Sequence, residues 1–187
     1  ATTYAIGQND LTLGGNYNIT YAGANFTITQ KALTVASGVS VDNKPYDKTD
    51  LATLAFSTPT LTGILFSDDV SINTGTGHGH FASVNVGDGQ AVTIHLLGLT
   101  GAKAGNYTLT QPTTLTANIT ARPVTVTATS GQTKVYGESD PSSYAYSITA
   151  GTKIDGDNFS GALSRATGEN ATTYAIGQND LTLGGNY

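Results

Sequence analysis

The chain has 187 residues, room for one large domain or two small ones, and only 11% are charged against about 25% in an average soluble domain. A net charge of −5 and a pI near 4.8 leave no basic footprint, so neither a nucleic-acid partner nor docking on anionic lipid through a polybasic patch is expected. Zero cysteine excludes disulfides, a thiol nucleophile and a thiolate zinc site. No apolar run approaches the ~18 residues of a spanning helix, so direct membrane insertion is not expected either.

Threonine, glycine and asparagine fill the surface that charge would otherwise occupy, and β-branched threonine suits a pleated, half-exposed strand. In chain order, residues 3–6, 11–13, 17–21 and 26–29 alternate apolar with polar and are bounded by Gly, Asn or Asp, which predicts short antiparallel strands joined by tight turns. Residues 33–41 open a new strand, and Lys44-Pro45-Tyr46-Asp47 reads as a punctuating turn because proline cannot serve a central ladder. Runs at 51–56, 60–65 and 70–73 follow, then a Gly-rich connector at 75–80, then strands at 81–84, 90–99, 107–109 and 115–120. Beyond Arg122-Pro123, strands are expected at 124–127, 134–137, 144–148 and 159–163, with a turn at Asp155-Gly156-Asp157-Asn158. No stretch carries the i, i+3, i+4, i+7 pattern of a helix, so the chain is predicted to be all-β.

Repetition organises the whole. Residues 1–17 read ATTYAIGQNDLTLGGNY, and residues 171–187 read the same. Such a window is expected from a tandem array cut to one period and a short overlap. A weaker repeat lies inside it: Gly15-Asn16-Tyr17 matches Gly105-Asn106-Tyr107, and Lys44-Pro45-Tyr46 matches Lys134-Val135-Tyr136. The expected organisation is therefore the end of one module at 1–30, a full module at 31–120 and the first part of another at 121–187. The last would lack the closing strands that residues 18–30 supply one period earlier. Modules of this size with about seven short strands fit a small antiparallel β-sandwich.

Candidate chemistry is sparse. His78 and His80, two apart on a strand, would share one face and could begin a metal site, with His95 the other histidine. Asp155 and Asp157, like Asp68-Asp69, could offer oxygens to Ca²⁺, although neither stretch matches a known calcium loop. No nucleophile elbow or paired-carboxylate pattern is present, so no catalytic residue is expected and the chain reads as a non-enzyme without an obligatory cofactor. One interaction is anticipated from the duplication. Tyr17, Ile19, Tyr21, Phe26 and Ile28 of one copy would complete the unfinished module of another, head to tail.

Several spaced motifs carry a family resemblance. Val135-Tyr136-Gly137, residues 160–165 (SGALSR), Gly168-Glu169-Asn170, Thr173-Tyr174-Ala175-Ile176 and Gly185-Asn186-Tyr187 resemble the MBG ("mostly bacterial Ig-like") domain, with residues 18–29 similar to its closing strands. Lys44-Pro45-Tyr46-Asp47, Asp68-Asp69-Val70, Phe81-Ala82-Ser83 and residues 105–109 (GNYTL) resemble the YDG domain, Lys48 standing where that pattern has glycine. The resemblance implies tandem Ig-like sandwich modules in an elongated rod. Such modules form the stalk of a large bacterial adhesin or biofilm-matrix protein, extracellular or at the cell surface, with neighbouring modules as partners. A glycan-binding or calcium-stiffened module is the alternative it leaves open.

Overall fold

The computed structural model describes residues 2–187; Ala1, the first residue of the duplicated segment, lies outside the described residues. The chain opens with β1 (Thr2–Ile6), β2 (Ala24–Ile28), β3 (Lys31–Val41), β4 (Lys44–Pro45), β5 (Leu51–Ala52) and β6 (Leu54–Thr62). It continues through β7 (Ser71–Asn73), β8 (His78–Phe81), β9 (Gly87–His95) and β10 (Gly98–Thr100). After a single 3₁₀ turn at Ala104–Asn106 come β11 (Tyr107–Thr110) and β12 (Thr116–Thr120). β13 (Val124–Ala128), β14 (Tyr146–Gly151), β15 (Ser164–Arg165) and β16 (Ile176–Gly177) complete it. The protein is all-β, and the Thr alternation is the reason. In β12 the pattern Thr-Ala-Asn-Ile-Thr buries Ala117 and Ile119 while Thr116 and Thr120 face water.

The strands form a five-stranded sheet in the order β4-β12-β9-β8-β5, a three-stranded sheet β11-β3-β6 and four two-stranded ribbons. The ribbons are β1-β2, β10-β7, β13-β14 and β15-β16. Two pairings, β11 with β3 and β12 with β4, are parallel, which corrects the expectation of purely antiparallel strands. Each joins strands far apart in sequence, and a long connection is what a parallel pair requires. Pro45, expected in a turn, lies in β4 at the edge of its sheet, where its missing N–H is tolerated.

Other local expectations are revised. Residues 11–13, 17–21 and 134–137 form no strand. The supposed connector at 75–80 instead carries β8, whose backbone pairs place His78 and His80 inside a sheet. The run at 60–65 ends in β6 at Thr62, and the turn Leu65–Asp68 follows.

The chain divides into two compact units. The first comprises the described residues through Ser40 with Thr53–Gly79 and Thr93–Thr113. Its core is Leu33, Val70 and Tyr107, flanked by Leu61, Ile64, Leu99 and Ala104. The β1-β2 ribbon in this unit pairs Tyr4 with Phe26, Thr2 with Ile28 and Ile6 with Ala24, so one of its faces is apolar. Tyr4, Ile6, Phe26 and Ile28 on that face are all exposed. The second unit comprises Val41–Ala52, His80–Val92 and Thr114–Tyr187. Tyr46, Phe81, Val92, Ile119, Leu163 and Leu181 are among its buried side chains. No polar or charged side chain is buried among the described residues, so the ionic groups below all stay in contact with water.

Candidate functional site: tyrosine latches and an interlocked junction

The Gly-Asn-Tyr triplet recurs three times, and two of its tyrosines do the same thing. Residues 65–68 form a turn in which the Asp68 N–H donates to the Leu65 carbonyl at 2.9 Å. The Tyr107 hydroxyl donates to Asp68 Oδ2 at 2.7 Å and accepts the Leu65 N–H at 3.2 Å, closing that turn against the core. Residues 154–157 form the matching turn, with Asp157 N–H to Ile154 carbonyl at 3.1 Å. The Tyr187 hydroxyl donates to Asp157 Oδ2 at 2.7 Å and accepts the Ile154 N–H at 2.8 Å. A tyrosine suits this task because its ring supplies apolar burial and its hydroxyl both gives and takes a hydrogen bond. The hydrogen bond to Asp68 raises the Tyr107 hydroxyl above its ordinary pKa; for Tyr187 the larger cause is loss of solvent, with Asp157 adding to it.

The second latch is built into a wider junction within the second unit. Asp157 also takes an ion pair from Lys48, Nζ to Oδ1 at 2.9 Å, and Lys48 reaches the Asp155 carbonyl at 3.3 Å. Lys48 sits at φ +67°, the left-handed region that favours glycine, so the turn keeps its shape with a lysine in it. Tyr46 packs edge-on against Tyr187, ring centroids 5.7 Å apart. Arg122 joins the two sides, with one terminal nitrogen donating to the Tyr46 carbonyl at 3.4 Å. Its Nε donates to the Thr152 carbonyl and a terminal nitrogen to Thr152 Oγ1, both at 2.8 Å, and its backbone N–H donates to the Asn186 carbonyl at 2.9 Å. The Asn186 side chain accepts the Val86 N–H at 2.9 Å and donates to Asn85 Oδ1 at 3.0 Å.

A separate charge network lies at Lys134, Asp140, Arg165 and Glu169. Lys134 contacts Asp140 at 2.8 Å and Glu169 at 2.7 Å, Arg165 bridges the same two carboxylates, and its guanidinium lies 5.0 Å from the Tyr174 ring centroid. These groups border a cavity of about 260 Å³ that Tyr136 and Tyr144 also line.

Electrostatics follow from these contacts. Lys48 holds the Asp157 carboxyl below its ordinary pKa, and Lys134 does the same for Asp140 and Glu169. Asp157 and Asp140 in turn raise Lys48 and Lys134. A depressed carboxylate contributes stability above its unfolded value, near about 4, and loses it as pH falls through the folded value. A raised lysine contributes below about 10.4 and loses it above. The melting temperature should therefore hold on the neutral plateau and fall below about pH 4, with a shallower acid limb in Asp157→Asn. A melting temperature that stays flat to about pH 2 would contradict the assignment of these pairs. Each pair is water-exposed, so the individual effects are modest.

Each sequence-derived metal candidate has a protein partner in the structure. His78 stacks on His95 at 5.7 Å, and His80 Nδ1 lies 3.2 Å from Asp50. Asp155 contributes a carbonyl to Lys48, and Asp157 is engaged by Lys48 and Tyr187. Asp68 and Asp69 likewise have partners, Asp68 the Tyr107 hydroxyl and Asp69 the Ala102 N–H. Among the described residues no three His, Asp or Glu side chains gather in a way that could hold a metal. Of the strand-complementation residues, Phe26 and Ile28 lie in β2, while Tyr17, Ile19 and Tyr21 lie outside any strand. The Tyr21 hydroxyl donates to the Ile6 carbonyl at 2.7 Å, tying the loop to β1.

Lys48, Arg122 and the latch pairs were not legible as a site, although the repeated Gly-Asn-Tyr triplet marked one half of each latch. Each latch falls inside a matched region, and Arg122 lies between the two regions. Residues 29–115 match the family model of the YDG domain, and residues 124–187 match that of the MBG domain, YGX type. No curated protein and no solved structure matches the chain. Tyr107 with Asp68 thus closes a turn of a YDG domain, Tyr187 with Asp157 closes one of an MBG domain, and the chain carries these two domains at residues 29–115 and 124–187.

Proposed function

We propose that this chain is a structural spacer: a repeat of the stalk of a large bacterial adhesin or biofilm-matrix protein, which carries a distal binding region away from the cell surface. Its domains fit an adhesin-like repeat region, and neither belongs to an enzyme family as such. On this reading each domain is an Ig-like sandwich module whose partners are its neighbours in the array.

The observation that carries the proposal is the junction between the YDG and MBG domains. A flexible connection would leave the chain around Arg122 in water, but Arg122, Asn186, Lys48 and Tyr46 tie the two domains together by directional contacts. Such contacts contribute about 0.5–1.5 kcal/mol each at best, yet together they restrict orientation, which is what a spacer needs. Low charge and threonine-rich strands suit a surface that meets water everywhere and offers few sites to proteases.

A strand of about ten residues spans roughly 34 Å, so two sandwich modules end to end would add on the order of 70–80 Å of reach per period. In a quasi-linear array, stability is a sum of module and neighbour terms, so copies can be gained without redesign. Small-angle scattering on a protein of two or more tandem periods should give the profile of a rod, its cross-section constant as periods are added. A compact particle would overturn the spacer reading.

A further inference from the structure

Two adjacent strands of the five-stranded sheet each carry a histidine on the outer face. In β8 the buried residues are Gly79 and Phe81, so His78 stands on the opposite face, half-buried. In β9 Val92 and Ile94 are buried, at 2% and 4% exposure, and His95 alternates with them onto the exposed side. β8 and β9 are neighbours in the sheet, and the two imidazoles meet across them, ring centroids 5.7 Å apart and planes 26° from parallel. The spacing in the sequence points to His78 and His80 along one strand, but the structure gives His78 its neighbour across strands. His80 turns to Asp50 instead, its Nδ1 3.2 Å from the carboxylate.

The backbone beside the pair is fixed. Both histidines belong to the first compact unit. A Cβ on Gly77 would come within 2.9 Å of the Leu97 side chain and 3.0 Å of that of Leu54, so glycine lets the chain before His78 lie close to the chain after His95. Leu97 is 2% exposed, and Gln111 clamps it twice. The Leu97 N–H donates to Gln111 Oε1 at 3.2 Å, and Gln111 Nε2 donates to the Leu97 carbonyl at 2.7 Å. Packed strand ends therefore present the two rings, and a ligand taken between them would cost little conformational freedom.

Imidazole nitrogen suits late first-row divalent ions, and Cu²⁺ heads their order of affinity. An ion ~2.0 Å from one nitrogen of each ring would hold the two centroids about 4.5–5 Å apart. The observed separation of 5.7 Å is longer by only about 1 Å, which rotation about the side-chain bonds supplies without moving a strand. Two protein ligands do not close a structural site, which takes four, so water completes the shell and the ion stays exchangeable. This accords with the lack of any cluster of three potential ligands among the described residues. Ca²⁺ takes oxygen ligands and does not fit the pair.

We propose that His78 and His95 chelate one late first-row divalent cation, Cu²⁺ most tightly, on the outer face of the sheet, pinning β8 to β9. The site is independent of the spacer role, since a rod can form with or without the ion.

The test is a Cu²⁺ titration of the 187-residue chain, read by electron paramagnetic resonance and by competition with a chromogenic chelator. One ion per chain should bind, with hyperfine coupling to two imidazole nitrogens. Chelation makes binding of the second nitrogen intramolecular, so His95→Thr should weaken the site on the order of 100-fold. His78→Ala should weaken it similarly, and His80→Ala should leave it unchanged. Without metal, His95→Thr should melt with its parent, because it adds one more threonine to an exposed strand position. Saturating Cu²⁺ should raise the melting temperature of the parent and not that of the variant. The spectrum of the parent needs no variant, so it decides even where a substitution unfolds the chain. Coupling to a single nitrogen, binding that survives His95→Thr, an equal loss in His80→Ala, or no ion bound at micromolar concentration would each overturn the proposal.

Discussion

Tyr107→Ala should destabilise the YDG domain by about 3–5 kcal/mol, and Tyr107→Phe by about 1–3 kcal/mol, measured by urea unfolding. The two values separate the two roles of the side chain. The ring is 5% exposed and packs with Leu33 and Val70, so its removal opens a cavity at the centre of the first unit. Phenylalanine fills that space but removes the hydroxyl, leaving the Leu65 N–H and the Asp68 carboxylate without the partner that lies between them. Phe66 and Ser67, the middle of that turn, sit at φ +55° and +58°, a conformation ordinary residues adopt only at some cost. The hydroxyl holds that turn closed, so its loss should also raise amide exchange at residues 65–68. A Tyr107→Phe chain as stable as its parent would show that burial alone anchors the tyrosine and that the latch contributes nothing.

The latch also marks where sequence reading stops. The all-β class was legible because alternation along a strand is local: Val-Thr-Val-Thr in β13 and the buried Ala117 and Ile119 of β12 need only neighbours two residues away. The two domain resemblances were legible for the same reason, resting on short motifs. Pairing is not local. Tyr107 lies 39 positions from Asp68, and Tyr187 lies 30 from Asp157, so nothing in either sequence neighbourhood names its partner. The same limit hid the partners of the aspartates, since an Asx-rich turn looks alike in sequence whether or not a tyrosine meets its carboxylate. Residues 11–13 and 17–21 alternate as strands do but take no ladder, since alternation marks a face and not a pairing partner. Lys48 shows the opposite case. At this departure from the YDG pattern the lysine takes a left-handed backbone and carries its ammonium to Asp157.

Leu181→Ala should cost the MBG domain about 2–5 kcal/mol, whereas Leu11→Ala in the same chain should change stability by no more than about 0.5 kcal/mol. The comparison is unusually controlled, because both leucines are flanked by identical residues within the duplicated segment and sit in turns of the same geometry. Helix or strand propensity, turn preference and the conformational freedom of the unfolded chain near the substitution are therefore nearly matched, and they cancel in the difference. What remains is tertiary: Leu181 is enclosed, Leu163 is buried in the same unit, and Leu11 faces water. Chemical unfolding of both variants reads that difference directly. Equal effects would mean that the seat in the MBG domain holds residues 172–187 no more firmly than water holds residues 2–17. A large difference would measure how much an identical segment gains by being seated.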